Sequence, residues 1–185
     1  MSFRDTAFGT KRLEVDGKLI QRIAQEDAEA FRMLYEQAAG SVFAYAFSLL
    51  RNREDAKDAM QDTFLKIRSA AHLYQDQGKP EAWMLTITRN ICNMHFRTQN
   101  RFADVTPDEM RSVQDLSQIR DHELRITLEK CMEVLDDSER EVIILHALTG
   151  LKHREIASMT GTPLATVLSR YARGMKKLRQ QLEGI

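Results

Sequence analysis

The 185-residue chain is predicted to be all-α, folded as two small helical domains joined by a flexible linker. Three observations predict this. Ala, Leu, Met, Glu, Arg and Gln are abundant, while Gly (8) and Pro (3) are scarce, a balance that favours helix. Apolar residues recur every three or four positions and seldom alternate. That periodicity gives way over "RFADVTPDEMRSVQDLSQIRDH" (101–122), where Pro107 and several acids give a linker composition, although Leu116 to Ile119 suit a short helix.

The elements follow in order. Residues 1–18 show no clear periodicity and read as a weakly ordered N-terminal arm. The first domain, 19–100, opens with "LIQRIAQEDAEAFRMLYEQAAGSVFAYAFSLL". Here Asp27 is an N-cap candidate, and Phe31, Leu34, Tyr35, Val42, Tyr45, Ala46 and Leu49 keep helical spacing. In "REDAKDAMQDTFLKIRSAAHLY" the stripe is Ala56, Ala59, Met60, Phe64 and Ile67, with Asp55, Asp58, Gln61 and Asp62 on the polar side. The loop "QDQGKP" breaks the pattern with Gly78 and Pro80. "EAWMLTITRNICNMHFRTQNR" then sets Trp83, Ile87, Ile91 and Met94 on one face.

The second domain, 123–185, starts with a helix patterned by Leu124, Leu128, Cys131, Met132 and Leu135. Asp137 or Ser138 caps the next, "EREVIILHALTG", which Gly150 stops. A short helix, "KHREIASMTG", ends on Gly161. Last comes "TGTPLATVLSRYARGMKKLRQQL", with Thr162 as N-cap and Pro163 at the first helical position. At about 100° per residue, Leu164, Val167, Leu168, Tyr171, Met175, Leu178 and Leu182 share one face of it. Thr166, Ser169, Arg170, Arg173, Lys177 and Gln180 share the other.

Several functional classes are unexpected. "MSFRDTAFGTKRLEVDGK" has no apolar signal-peptide core, and the longest apolar run, Val42 to Leu50, is too short to span a bilayer. The expectation is a cytoplasmic protein without membrane insertion. Cys92 and Cys131 lie far apart and read as buried free thiols. Cys92 and His95 share a helix face, but two ligands do not make a zinc site, so neither metal nor cofactor is expected. No nucleophile, base and oxyanion donors fall together, so the chain is not expected to be an enzyme.

The net charge is zero, from 27 basic and 27 acidic residues, so any electrostatic signature must be local. It is: residues 121–141 are mostly acidic, while Lys152, Arg154, Arg170, Arg173, Lys176, Lys177 and Arg179 make the C-terminus basic. A basic amphipathic helix by itself is more often a solvated surface helix. Here it follows a short helix and a Gly turn, the layout of a helix-turn-helix, whose second helix enters the DNA major groove. Arg170 and Arg173 suit bidentate hydrogen bonds to guanine, each worth roughly 1–3 kcal/mol of discrimination. Thr162, Lys176, Lys177 and Arg179 suit phosphates, and Thr166 and Ser169 lie on the same face.

"LDDSEREVIILHALTGLKHREIASMTGTPLATVLSRYARGMKKLRQQL" resembles domain 4 of bacterial sigma-70 family sigma factors of the extracytoplasmic-function (ECF) type. "REDAKDAMQDTFLKI" resembles the acidic, Gln-bearing helix of their domain 2, and "PEAWMLTITRNICNMHFR" the Trp- and Arg-Asn-bearing helix after it. The resemblance runs from about Leu19 to Leu182. It implies a sigma factor that binds core RNA polymerase and directs transcription initiation. Asp55, Asp58, Gln61 and Asp62 would meet the β′ clamp helices, with a second contact at the β flap. Tyr74, Lys79, Arg89, Asn90, Asn93 and Arg97 would serve the −10 element, and Thr162, Thr166, Ser169, Arg170, Arg173 and Lys177 the −35 element. An anti-sigma factor is the implied inhibitor. Trp83 suits core packing, and Asn90 can equally satisfy local backbone.

The chain departs from the family's pattern in places. Leu168 stands where a basic residue is common, and Ala165 where Gly is common. By its spacing Leu168 falls on the apolar side, so it is not expected to contact DNA, and the −35 letters are expected to differ. Met94 replaces a frequent acid, and the basic run beyond it is thin, with Arg97 and Arg101. Two rival readings remain. One is a stand-alone helix-turn-helix regulator with its own dimerisation face; the other is a sigma-like module that binds an acidic protein partner.

Overall fold

A computed structural model describes residues 12–76, 78–102 and 122–183, without the side chains of 99–102, 122–124, 126–127 and 182–183. The short helix suggested at Leu116 to Ile119 lies outside these residues, as does most of the N-terminal arm. The described chain forms helices and no strands, in two compact units, one within 13–102 and the other within 122–183.

In the first unit, α1 (Gly17–Ile23) begins ahead of Leu19, capped by Asp16, whose carboxylate accepts the Lys18 N–H at 2.9 Å. Leu13 and Val15 before it are buried, and the Val15 N–H donates to Glu81 Oε1 at 2.8 Å. Packing thus reaches into the segment read as an arm. Its two anchors are spaced by two, an extended pattern too short to register as periodicity. Asp27 caps α2 (Ala28–Leu50) by accepting the N–H groups of Glu29 and Ala30. From Ser41 to Ser48 every α2 residue is buried, which is why "SVFAYAFS" is apolar almost all round: this helix is the axis of the unit.

Arg51, at φ 55°, ends α2, and Asn52 caps α3 (Arg53–Ala70) through the N–H groups of Glu54 and Asp55. The α3 stripe is buried as its spacing predicts, and the Phe64 ring meets Tyr35 at 4.7 Å and Phe31 at 6.3 Å between centroids. Pro80 opens α4 (Pro80–Phe102), which packs on α2 and α3. Its buried line is Met84, Leu85, Thr88 and Cys92, displaced from the predicted face. Trp83, Ile87 and Ile91 are half-buried, and Met94 is 64% exposed. "WMLTI" carries two neighbouring apolar stripes, and spacing alone does not rank them. The choice is made by α2 and α3, which accept Thr88 because its hydroxyl bonds the Met84 carbonyl.

The second unit is built around α6. Leu128 and Cys131 of α5 (His122–Val134) and Leu135 just beyond are buried. Burial pushes the Cys131 thiol up to about 12, as for an inert core cysteine. Asp136, one residue before the predicted caps, starts α6 (Asp137–Thr149): it accepts the Glu139 N–H at 2.9 Å, and Glu139 reaches back in a capping box. Val142, Ile143, Ile144, Leu145 and Leu148 are buried, and Gly150 at φ 65° stops the helix. After α7 (His153–Thr160), Gly161 turns the chain at φ 66° into α8 (Leu164–Glu183). Here Pro163 occupies the cap position, its carbonyl accepting from the Val167 N–H at 3.1 Å; the Thr162 N–H instead closes back on Ala157 of α7. At Gly174 a Cβ would lie 2.5 Å from Ile143 Cδ1, so α8 crosses α6 where only glycine fits undisturbed.

Candidate nucleic-acid interface

α7, the Gly161 turn and α8 are held by a compact set of contacts. Val167, Met175 and Leu178 of α8 are buried, and Ile156 of α7 is fully buried. The Tyr171 ring stands edge-on against His153 (4.5 Å) and His146 (5.2 Å), whose rings stack on each other at 5.2 Å. His146 Nδ1 lies 2.8 Å from the Leu151 carbonyl, which only accepts, so Nδ1 carries the proton. Sequence reading missed this aromatic hinge, because two histidines seven positions apart on separate helices carry no spacing signal.

The outward side of α8 differs from the predicted one in two ways. Leu168 and Leu164, assigned by spacing to the docked face, are 47% and 45% exposed. The buried line of α8 runs through Val167, Gly174, Met175 and Leu178, and both leucines lie off it. Second, Arg173 and Lys177 converge on one buried carboxylate. Glu139, 1% exposed, accepts from Arg173 Nε at 3.2 Å and from Lys177 Nζ at 2.6 Å. Arg173 also donates to Ser169 Oγ at 3.1 Å. Both cations remain partly in water, with side chains 57% and 41% exposed, so each can still meet a phosphate or base. Ser169 is exposed, and Thr162, Thr166 and Arg170 are half-buried. All six candidates therefore lie along the turn and the accessible side of α8.

In the first unit, Asp58, Gln61 and Asp62 are exposed on α3, and Asp55 is half-buried one turn earlier. Leu65, 63% exposed, extends this face by another turn. Its position off the buried stripe was the available signal. His95 Nε2 of α4 lies 4.0 Å from Asp62 Oδ2.

The second set of candidates is strung out along α4 and the loop before it. Lys79 and Arg97 are separated by ~27 Å at 1.5 Å per residue, a reach suited to an extended strand. At one end the Tyr74 ring packs on Trp83 at 5.1 Å, so the half-buried tryptophan has a packing role and an accessible edge. Asp76 organises this loop by accepting from the Tyr74 hydroxyl at 3.2 Å and the Gly78 N–H at 3.0 Å. Burial, helped by the Asp76 charge, pushes the Tyr74 hydroxyl up to about 12, so it stays a neutral donor. Farther along α4, Asn90 and Arg97 are exposed, and Arg89 and Asn93 half-buried. Among the described residues, no group of three metal-ligating side chains can hold an ion, and no helix is long and apolar enough to cross a membrane.

Residues 34–102 match the sigma-70 region 2 family and residues 125–178 the sigma-70 region 4 family. The ECF RNA polymerase sigma factor SigK of Mycolicibacterium vanbaalenii is 28% identical over 173 residues, spanning 89% of this chain and 87% of that protein. The ECF RNA polymerase sigma factor SigE of Mycolicibacterium smegmatis is 31% identical over 155 residues, 80% of this chain and 60% of that protein. CnrH, solved in complex with the cytosolic domain of CnrY, shares the fold at TM-score 0.63 and 24% identity, over 92% of this chain and 99% of that one. The sigma factor RpoE of Bartonella quintana, solved with the anti-sigma factor NepR, aligns at TM-score 0.63 and 23% identity, over 84% of this chain and 98% of that one.

Proposed function

The chain belongs to the sigma-70 family of RNA polymerase sigma factors, of the ECF type, and from that premise we propose how its surfaces divide the work of promoter-specific initiation. The α3 face of Asp58, Gln61, Asp62 and Leu65 docks on core polymerase at the β′ clamp helices, and Asp55 supports it. The exposed side of α8 reads the −35 element. The strip from Tyr74 to Arg97 serves the −10 element.

The observation that carries this reading is the outward face of α8, which keeps Ser169, Arg173, Lys176 and Lys177 accessible while its opposite line is buried. Such a helix on a helix-turn-helix reads base edges with its N-terminal half and anchors on phosphates with the rest. Promoter melting unstacks bases at a cost of a few kcal/mol. An aromatic pair at one end of the strip and an exposed Asn and Arg farther along it can offset that cost by stacking on and pairing with the separated strand. Because CnrH and RpoE were solved with protein partners, the latter with an anti-sigma factor, we assign an anti-sigma factor as inhibitor of this chain also.

The test is in vitro transcription with core polymerase and a random promoter library. Enrichment of a two-part element, dependent on the added chain, supports the proposal. Transcripts without sequence preference contradict it.

A further inference from the structure

Half-exposed leucines on the N-terminal half of a DNA-reading helix need a reason. Leu164 and Leu168 keep 45% and 47% of their surface in water, although Val167 beside them is fully buried. Ala165 and Ala172, three and four residues either side of Leu168, are exposed as well. Residues at such spacing share one strip of the helix. An apolar strip thus runs beside the polar strip of Ser169, Arg173 and Lys176 on the same outward surface. Its alanines are short, so Leu164 and Leu168 protrude, and Leu168 is the one nearer the polar strip.

We propose that Leu168 is a specificity-determining residue that packs on a thymine 5-methyl group in the −35 element; the inference rests on the function proposed above. The major groove displays a single apolar group, the methyl of thymine, among its donors and acceptors. Exposed Arg173 and Lys176 on the neighbouring polar strip bring a polyanion to it, which selects DNA over a neutral apolar partner. Alanine at 165 and 172 lets the helix backbone approach the base edges closely enough for Leu168 to reach them. A chain with Leu at this position reads a letter by shape that a basic residue would read by hydrogen bonding.

The test uses the full chain, core polymerase and a promoter recovered from the random library. Deoxyuridine replaces each −35 thymine singly on either strand, which removes the methyl and keeps every hydrogen bond. At one or two positions, holoenzyme affinity should fall about three- to fivefold, the factor for one methyl group at ~0.8 kcal/mol. With Leu168→Ala, shown to be folded by an unchanged melting temperature, the same substitutions should be silent. The proposal is overturned if uracil is silent everywhere with the native chain while base changes still weaken binding, an outcome that leaves the sigma function standing. It is also overturned if Leu168→Ala retains the uracil penalty, if the recovered −35 element has no A·T pair, or if the variant keeps its letter preference but escapes an inhibitory protein. Absence of any promoter-dependent transcript overturns both readings.

Discussion

Replacing Glu139 with glutamine should destabilise the helix-turn-helix unit while strengthening its grip on DNA of any sequence. Glu139 is 1% exposed and meets Lys177 at 2.6 Å and Arg173 at 3.2 Å, and its Oε2 lies 3.4 Å from the Asp136 amide. Glutamine preserves the shape and the capping role, so the change isolates the charge. Breaking a fully buried pair costs about 3–5 kcal/mol, and an exposed one about 0–1. The partners here are roughly half in solvent, which places the loss at ~1–2 kcal/mol. Urea titration followed by amide exchange in α6 and α8 measures it, and the difference should shrink at 1 M salt, where the Debye length falls to about 3 Å. The two released cations become available to phosphates. The slope of log affinity against log salt for non-specific DNA should therefore steepen by ~0.9–1.8. A stability change under ~0.3 kcal/mol together with an unchanged salt slope would refute the idea that Glu139 holds these cations.

Other consequences are as specific. Gly174→Ala sets a methyl 2.5 Å from Ile143 Cδ1; overpacking of ~1–3 kcal/mol, offset by ~1 from better helix propensity, predicts a net loss near 1 kcal/mol in the same titration. At Asp136, burial raises the carboxyl, but the Glu139 N–H, the Ser138 hydroxyl and Lys177 outweigh it and hold it below the usual value. A depressed carboxyl stabilises the fold above its unfolded value near ~3.9, and that contribution is lost as pH falls through the lower folded value. Asp136→Asn, which keeps the cap, should therefore show a flatter fall in urea midpoint below about pH 4 than the native chain; parallel curves would contradict this. Asp58→Lys with Asp62→Lys, both at exposed positions, should cut core-polymerase affinity at least ~10-fold in a pull-down titration and leave the melting temperature unchanged.

Much of the fold was legible because helix caps and buried stripes are local. Asp27, Gly150 and Gly161 announce their helix ends by residue type, and the α3 stripe follows from spacing alone. What escaped was decided by tertiary partners. α4 buries Thr88 and Cys92 because α2 and α3 meet it there, although Ile87 and Ile91 are the more apolar pair. Leu164 and Leu168 project on a helical wheel as core, yet the buried line of α8 runs through Val167, Gly174, Met175 and Leu178. The Glu139 clamp joins residues 34 and 38 positions apart, beyond any periodicity. The candidate site residues were readable as a face, whereas their pairing was not.

As a sigma factor, this chain acts through polymerase and does not act alone. Fluorescence anisotropy of the labelled full chain, titrated at low salt with core RNA polymerase and then with promoter DNA, tests it most directly. Saturable one-to-one binding to core polymerase is expected, with tight promoter binding only after that complex forms. A chain that ignores core polymerase and binds a palindromic site as a dimer would contradict it.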